Sequence, residues 1–413
     1  MPESTHTSNT IPNITQPAVP ALPPLAVGSD FNALRAQGAL LINKMPTMPQ
    51  MDGFGFIFMS RPPGMGKSML ASTVRALYSQ GYAPYEDLLE PQQRRRSYLP
   101  VAVIALSLKG LNRPETLVED IYQRLRAAFI AAGFSWAQEE QFARCSGLFG
   151  IWLLSYLRSE HVALIVDDWD YPLTSQWHDP STFAANAKAM HHFFAWIYRF
   201  IHRNSALTLC LGTGSYWSLL DRLGELLFEW NWGYCGTTMM GYTQKELETY
   251  FAPYLSAAAA RMGRSEDELK AELKRHYGGY CFAQYESCLY QPRAVNAFFA
   301  QLNDPQVKTP RLLDFEACNP ELASILRWGM THCPDQLEFL EDLAQQDLSL
   351  TRYTFYNTFD SEGQLNWPTL LINFGLLSAK PHPDSSPYDW LYFNFTNEAA
   401  AQFYRDLRAQ CRA

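Results

Sequence analysis

The sequence predicts an α/β protein with a mainly parallel, doubly wound sheet, followed by a helical subdomain and a mixed α+β C-terminal domain. Three observations predict it. Short, near-continuous apolar runs alternate with longer helical patterns up to about residue 240, and strands buried on both faces of a parallel sheet read that way. Two helix-start signatures of the form [ST]-x-x-[DE] follow, as TQKE at Thr243 and SEDE at Ser265. The chain has 413 residues, 47% hydrophobic and 18% charged, too many for one compact core and too apolar for a wholly disordered polypeptide.

The elements follow in chain order. Residues 1–28 hold six prolines, at 2, 12, 17, 20, 23 and 24, which predicts a disordered or extended arm. Ser29-Asp30 reads as the cap of a helix over 31–37. Strands are expected at Gly53–Ser60, Leu99–Leu108, His161–Asp167 and Ala206–Gly212. Helices are expected at Lys67–Gln80, Glu115–Ala132, Gln138–Arg158 and Ala184–His202. Together they make a core domain over 29–240. A helical subdomain over 241–303 opens with helices at Gln244–Ala260 and Glu266–His276. A mixed domain over 304–413 has helices near Pro320–Met330 and Pro334–Gln346, a strand-like pair near Leu370–Ala379 and Trp390–Phe395, and a closing helix at Asn397–Arg408.

Composition narrows the function. The net charge of −8 argues against broad electrostatic binding of nucleic acid or of an anionic membrane. The 8 cysteines form no CxxC pair and no zinc-type spacing, so free thiols in a reducing cytosol are expected. No run approaches the roughly 20 apolar residues of a membrane span. The N-terminus lacks a basic region followed by an apolar one. The expected setting is cytoplasmic, away from membrane.

The strongest motif is SRPPGMGKSML, Ser60 to Leu70, between a strand and a helix. It fits the phosphate-binding loop GxxxxGK[ST], with Arg61 in place of the first Gly. Gly64 and Gly66 let backbone N–H groups turn inward around an anion, with Met65 between them and Met69 just inside the helix, whose N-terminus adds partial positive charge. Lys67 would reach the β and γ phosphates, and Ser68 would give its hydroxyl to Mg²⁺. The second motif is HVALIVDDWDYPL, His161 to Leu173, an apolar strand ending in acids. Asp167 would hold the metal and Asp168 would polarise the attacking water. Asp170 reads as a turn or cap residue before Pro172. At the tip of the LCLGTGSYW strand, Thr213 or Ser215 could sense the γ-phosphate. Arg61, Arg203 and Arg222 are candidate charge-stabilising arginines, and Arg94-Arg95-Arg96 reads as an exposed basic loop. The chain is therefore read as a P-loop NTPase.

These residues resemble the predicted AAA-ATPase-like family of bacteria, whose members often carry a C-terminal PD-(D/E)XK nuclease-like domain. Arg61 to Ser68 is similar to that family's RPRRFGKS-type loop, where Arg replaces the first Gly. Leu40 to Met45 is similar to its YVDKT-type element with Asn43 for Asp, and Val166 to Leu173 to its IDEYDKPL-type Walker B with Asp168 for Glu. GYTQKE (Gly241 to Glu246), YGGYCF (Tyr277 to Phe282), Tyr290-Gln291-Pro292, Leu371 to Ser378 and Phe395 to Glu398 resemble its later elements. The resemblance implies ATP and Mg²⁺ as ligands and a protein partner or nuclease as the recipient of the nucleotide state. No PD followed by a convincing E-x-K stands on a strand, so no nuclease activity is expected. The expected function is a weak, Mg-dependent ATPase. The alternative is a non-hydrolysing nucleotide-binding or scaffold protein with a degenerate site.

Overall fold

The computed structural model describes residues 22–26, 28–44, 56–88, 100–133, 162–203, 207–214, 228–229, 238–282, 288–351, 365–380 and 390–412. Helix α1 (Phe31–Ala36) begins at Asp30, whose carboxylate accepts from Ala33 N at 2.8 Å. Strand β1 (Phe56–Ser60) leads into α2 (Lys67–Gln80). Then come β2 (Ala102–Ser107), α3 (Leu117–Ala131), β3 (Val162–Asp167), the short α4 (Tyr171–Thr174), α5 (Pro180–Arg203), β4 (Leu207–Gly214) and β5 (Phe228–Glu229). The sheet order is β2-β3-β4-β1-β5, and every pairing is parallel. Thus β4 lies between the strand before the phosphate loop and the strand that ends in Asp167.

Strand alternation builds two apolar layers. Ile57, Met59, Ala163, Ile165 and Leu211 pack with α2 on one face. Phe58, Ile104, Leu106, Val162, Leu164 and Val166 pack with α3 and α5 on the other. The sheet is doubly wound, as expected. The expected helix at 138–158 lies outside the described residues.

Beyond the sheet stand α6 (Gln244–Tyr250), α7 (Ala252–Met262), α8 (Glu266–Tyr277) and α9 (Pro292–Ala300). Both capping boxes form, Thr243 with Glu246 and Ser265 with Glu268. The single helix expected over 244–260 is two. Phe251 breaks it (φ −100°, ψ 9°) because Pro253, in the first turn of α7, has no N–H to continue the ladder.

The last segment holds α10 (Phe315–Cys318), α11 (Pro320–His332), α12 (Phe339–Asp342), β6 (Leu348–Thr351), α13 (Trp367–Asn373), β7 (Leu377–Ala379), β8 (Trp390–Phe395) and α14 (Glu398–Arg412). Its strands form an antiparallel sheet in the order β6-β8-β7. Two expectations need correction. The region 334–346 is a 3₁₀ turn and the four-residue α12, since the buried Leu337, Leu340 and Leu343 recur every three residues. The start of the expected strand at Leu370 is α13, capped by Asn366 with Pro368 in its first turn.

The end of the arm expected to be disordered or extended is extended and docked. Leu25 pairs with Leu40 in a parallel bridge and is buried, and Ala26 O accepts from Asn296 Nδ2 at 3.1 Å. Residues 1–21 lie outside the described residues. The expectation of free thiols also fails at one pair. The antiparallel bridge Tyr280↔Leu289 brings Cys281 and Cys288 to a Cα separation of 4.3 Å, and they are disulfide-bonded. Cys318, Cys333 and Cys411 are free.

Candidate functional site

The phosphate loop leaves β1 at Ser60. Arg61 N donates to Gly214 O at 2.9 Å, which fixes the loop to the tip of β4. Gly64 (φ +83°) and Gly66 (φ +96°) adopt the left-handed backbone that admits glycine without strain, and Gly66 caps α2. At Gly64 even a methyl group would press on Gln291 Nε2 at 2.9 Å and Arg293 Cβ at 3.2 Å. Met65 is buried, and its carbonyl accepts from Gly241 N at 2.9 Å. Lys67 is buried in the first turn of α2, donating to Arg61 O at 2.8 Å and Pro62 O at 3.1 Å. Burial pulls its ammonium below the usual lysine range, the carboxylates of Asp170, Asp168 and Asp167 oppose that, and Arg293 adds to it. Ser68 and Met69 are half-buried beside it.

The acids stand at the end of β3. Asp167 pairs in register with Thr213, and its Oδ1 accepts from Thr213 Oγ1 at 2.5 Å and from Asp168 N at 3.0 Å. Among the described residues Asp168 is the one non-glycine with positive φ, at 48°. Asp tolerates that region better than most side chains, and residues so held cluster at functional sites. Its Oδ2 accepts from Ser107 Oγ at 3.2 Å. Burial first, and then the Asp167 charge, raise its carboxyl above the usual range, with Lys67 opposing. The Trp169 ring is wedged edge-on between Phe58 and Phe194, and its backbone N–H donates to Thr213 O at 3.1 Å. The tip of β4 is thus tied to the phosphate loop on one side and to the acid turn on the other.

A cavity of about 1080 Å³ joins these parts. Gly64 to Met69, Asp168 and Asp170 line it. Phe31, Leu40, Ile42, Tyr85, Met240 and Tyr242 also line it and give it a large apolar share. Lys44 also lines it, with Nζ 2.7 Å from both Glu246 oxygens and 2.9 Å from Thr238 O. Burial lowers its ammonium and Glu246 opposes that. The side-chain amide of Asn43 donates to Leu88 O. Residues of α9 and α11, and Phe374, which follows α13, line it as well.

Two expected site residues turn away from the cavity. Arg61 is 1% exposed, donates from Nη1 to Ser60 O at 2.8 Å and lays its guanidinium 4.1 Å over the Phe282 ring. A delocalised cation is stabilised on a ring face once water is excluded. Thr213 is fully buried and commits its hydroxyl to Asp167. Ser215, Arg222 and 94–96 lie outside the described residues, as does the Arg203 side chain.

Sequence reasoning gave no site role to Gln291, Arg293 or Glu321. Gln291 is buried and donates to Pro63 O at 2.9 Å and Asn319 Oδ1 at 2.8 Å. Arg293 N donates to Gly64 O at 3.1 Å, and its Nη1 lies 3.9 Å from Glu321 Oε2. A signal was present. Pro292 marks a helix start, and an Arg in a first turn opposes the helix dipole, so it calls for an anion nearby. Among the described residues no three His, Cys, Asp or Glu side chains converge as a metal cage. The Ser68 hydroxyl and the acids at 167–168 are hard oxygen donors, the set that suits Mg²⁺ shared with a phosphate chain.

A loop of this kind on a parallel sheet, with an acid-ended strand two places away in the sheet, defines a P-loop NTPase of the α/β class. Residues 24–216 match the family described as Predicted AAA-ATPase, the family the motifs resemble, and that assignment is borne out over these residues. Among solved structures, Cdc6p from Pyrobaculum aerophilum is similar at 13% identity over 95% of this chain and 97% of that one, with a TM-score of 0.31, too low to carry an argument. No curated protein matches.

Proposed function

We propose that the chain binds ATP with Mg²⁺ and hydrolyses it slowly, passing the nucleotide state to a protein partner in the cytoplasm. One observation carries this reading: loop residues Gly64 to Met69, Lys67 among them, line one cavity together with Asp168 and Asp170, and an apolar group that includes Phe31, Tyr85 and Met240 lines the same cavity. The loop N–H groups and the α2 N-terminus would hold the phosphate chain. Lys67 would exchange its two loop carbonyls for phosphate oxygens and offset charge that builds on them. Ser68 and Asp167 would hold Mg²⁺, which when bound supplies charge neutralisation at the phosphates. Thr213 keeps Asp167 aimed. Asp168, ionised, would orient the attacking water and accept its proton.

A titration with fluorescent ATP tests binding. Wild type should bind and Lys67→Ala should lose most of that affinity, and equal affinities would remove the proposal. The raised carboxyl of Asp168 and its shorter reach favour a second reading, in which nucleotide binds without turnover. Phosphate release decides between them. Loss on Asp168→Asn supports hydrolysis, and equal silence of both proteins supports binding alone.

A further inference from the structure

We propose that Glu321 determines the preference of this site for triphosphate over diphosphate by competing with the terminal phosphate for Arg293. The inference rests on the nucleotide-binding reading and adds a residue to it. Arg293 is held against the phosphate loop by its backbone, through the bond from its N–H to Gly64 O and the tight approach of its Cβ to Gly64. Its guanidinium is free to choose an anion within reach. At rest that anion is Glu321 at 3.9 Å, with the two side chains 47% and 54% exposed. A pair so long and so wet stabilises by only about 0–1 kcal/mol. An Arg–phosphate contact is shorter, often bidentate and stronger.

Arg293 and Glu321 both line the cavity, and the Arg293 charge is felt at buried Lys67, so the guanidinium stands near the phosphate end. A third phosphate reaches further along the loop than a second. It would draw Arg293 from Glu321, whereas a diphosphate would leave the pair intact. The competitor cannot drift out of range. Helix α11 is preceded by Asn319, which is buried and held by Gln291 Nε2 at 2.8 Å and by its own bond to Phe315 O at 2.9 Å. One contact between the loop and α11 is therefore fixed and the other is exchangeable.

Titrations of the full chain with fluorescent ATP and ADP, in Mg²⁺, test this for wild type, Glu321→Gln, Arg293→Ala and the double variant. Glu321→Gln should tighten ATP by about 2- to 5-fold, the range a weak ion pair allows, and leave ADP unchanged. Arg293→Ala should erase the ATP preference, and in that background Glu321→Gln should have no effect. An equal shift for both nucleotides, no shift, or a gain that persists without Arg293 would overturn the competition while leaving nucleotide binding standing. Failure of wild type to bind either nucleotide would overturn the proposed function, and this inference with it.

Discussion

Replacing Gly375 with alanine should weaken the fold and loosen nucleotide binding together. Gly375 follows α13 at φ +84°, and a Cβ there would stand 2.9 Å from Pro62 Cβ and 3.0 Å from Tyr280 Cε1. The left-handed backbone costs an alanine about 1–2 kcal/mol. Overpacking a dense site adds about 1–3 kcal/mol. The sum is about 2–5 kcal/mol. Gly263 supplies the control, with φ +65° and nothing within 4 Å, so its alanine variant should lose only the backbone part. Pro62 also accepts from Lys67 Nζ, so a shifted Pro62 disturbs the loop that would hold phosphate. Urea titration followed by circular dichroism should rank wild type above Gly263→Ala above Gly375→Ala. Only Gly375→Ala should bind fluorescent ATP more weakly. Equal stability of the two variants, with ATP affinity unchanged in both, would refute the steric argument.

Asp168→Asn should raise the thermal midpoint near neutral pH. Burial and Asp167 hold the Asp168 carboxyl above its unfolded value, so ionising it costs folding free energy once pH rises past that range, and the amide carries no such cost. Phosphate release should fall about 10²–10⁴-fold in the same variant, and in wild type the acid limb of its pH profile should lie above the ordinary carboxylate range. Dithiothreitol, or serine at Cys281 and Cys288, should cost about 2 kcal/mol in urea titration, the loop-closure value for a short bridge. Glu246→Ala should cost about 1–3 kcal/mol by the same measurement, since it removes a capping box and leaves the half-buried Lys44 ammonium without its counter-charge.

The parts of the site that a local pattern encodes were legible in the sequence. Lys67–Gln80 was read to the residue because the glycine turn and the amphipathic run fix both its ends. Asp167 and Asp168 were placed at a strand end by the five apolar residues before them. What sequence could not give were contacts made across long separations. The side chain of Arg61 has two plausible directions from a loop, and only the position of Phe282, 221 residues on, decides it. Thr213 looked like a phosphate sensor because its strand tip was expected there, but register opposite Asp167 uses up its hydroxyl. Short apolar runs such as WPTLLIN do not distinguish strand from buried helix by periodicity, and α13 shows which won.

Phe315, Leu326 and Leu377 near the C-terminus share one buried cluster with Phe58 and Val166 of the sheet. Heating should therefore melt both halves in a single calorimetric peak, with no separate event for the residues past 303. A polypeptide cut there would keep every phosphate-loop residue yet bare the oily underside of its own sheet, and self-association is the fate to expect of it.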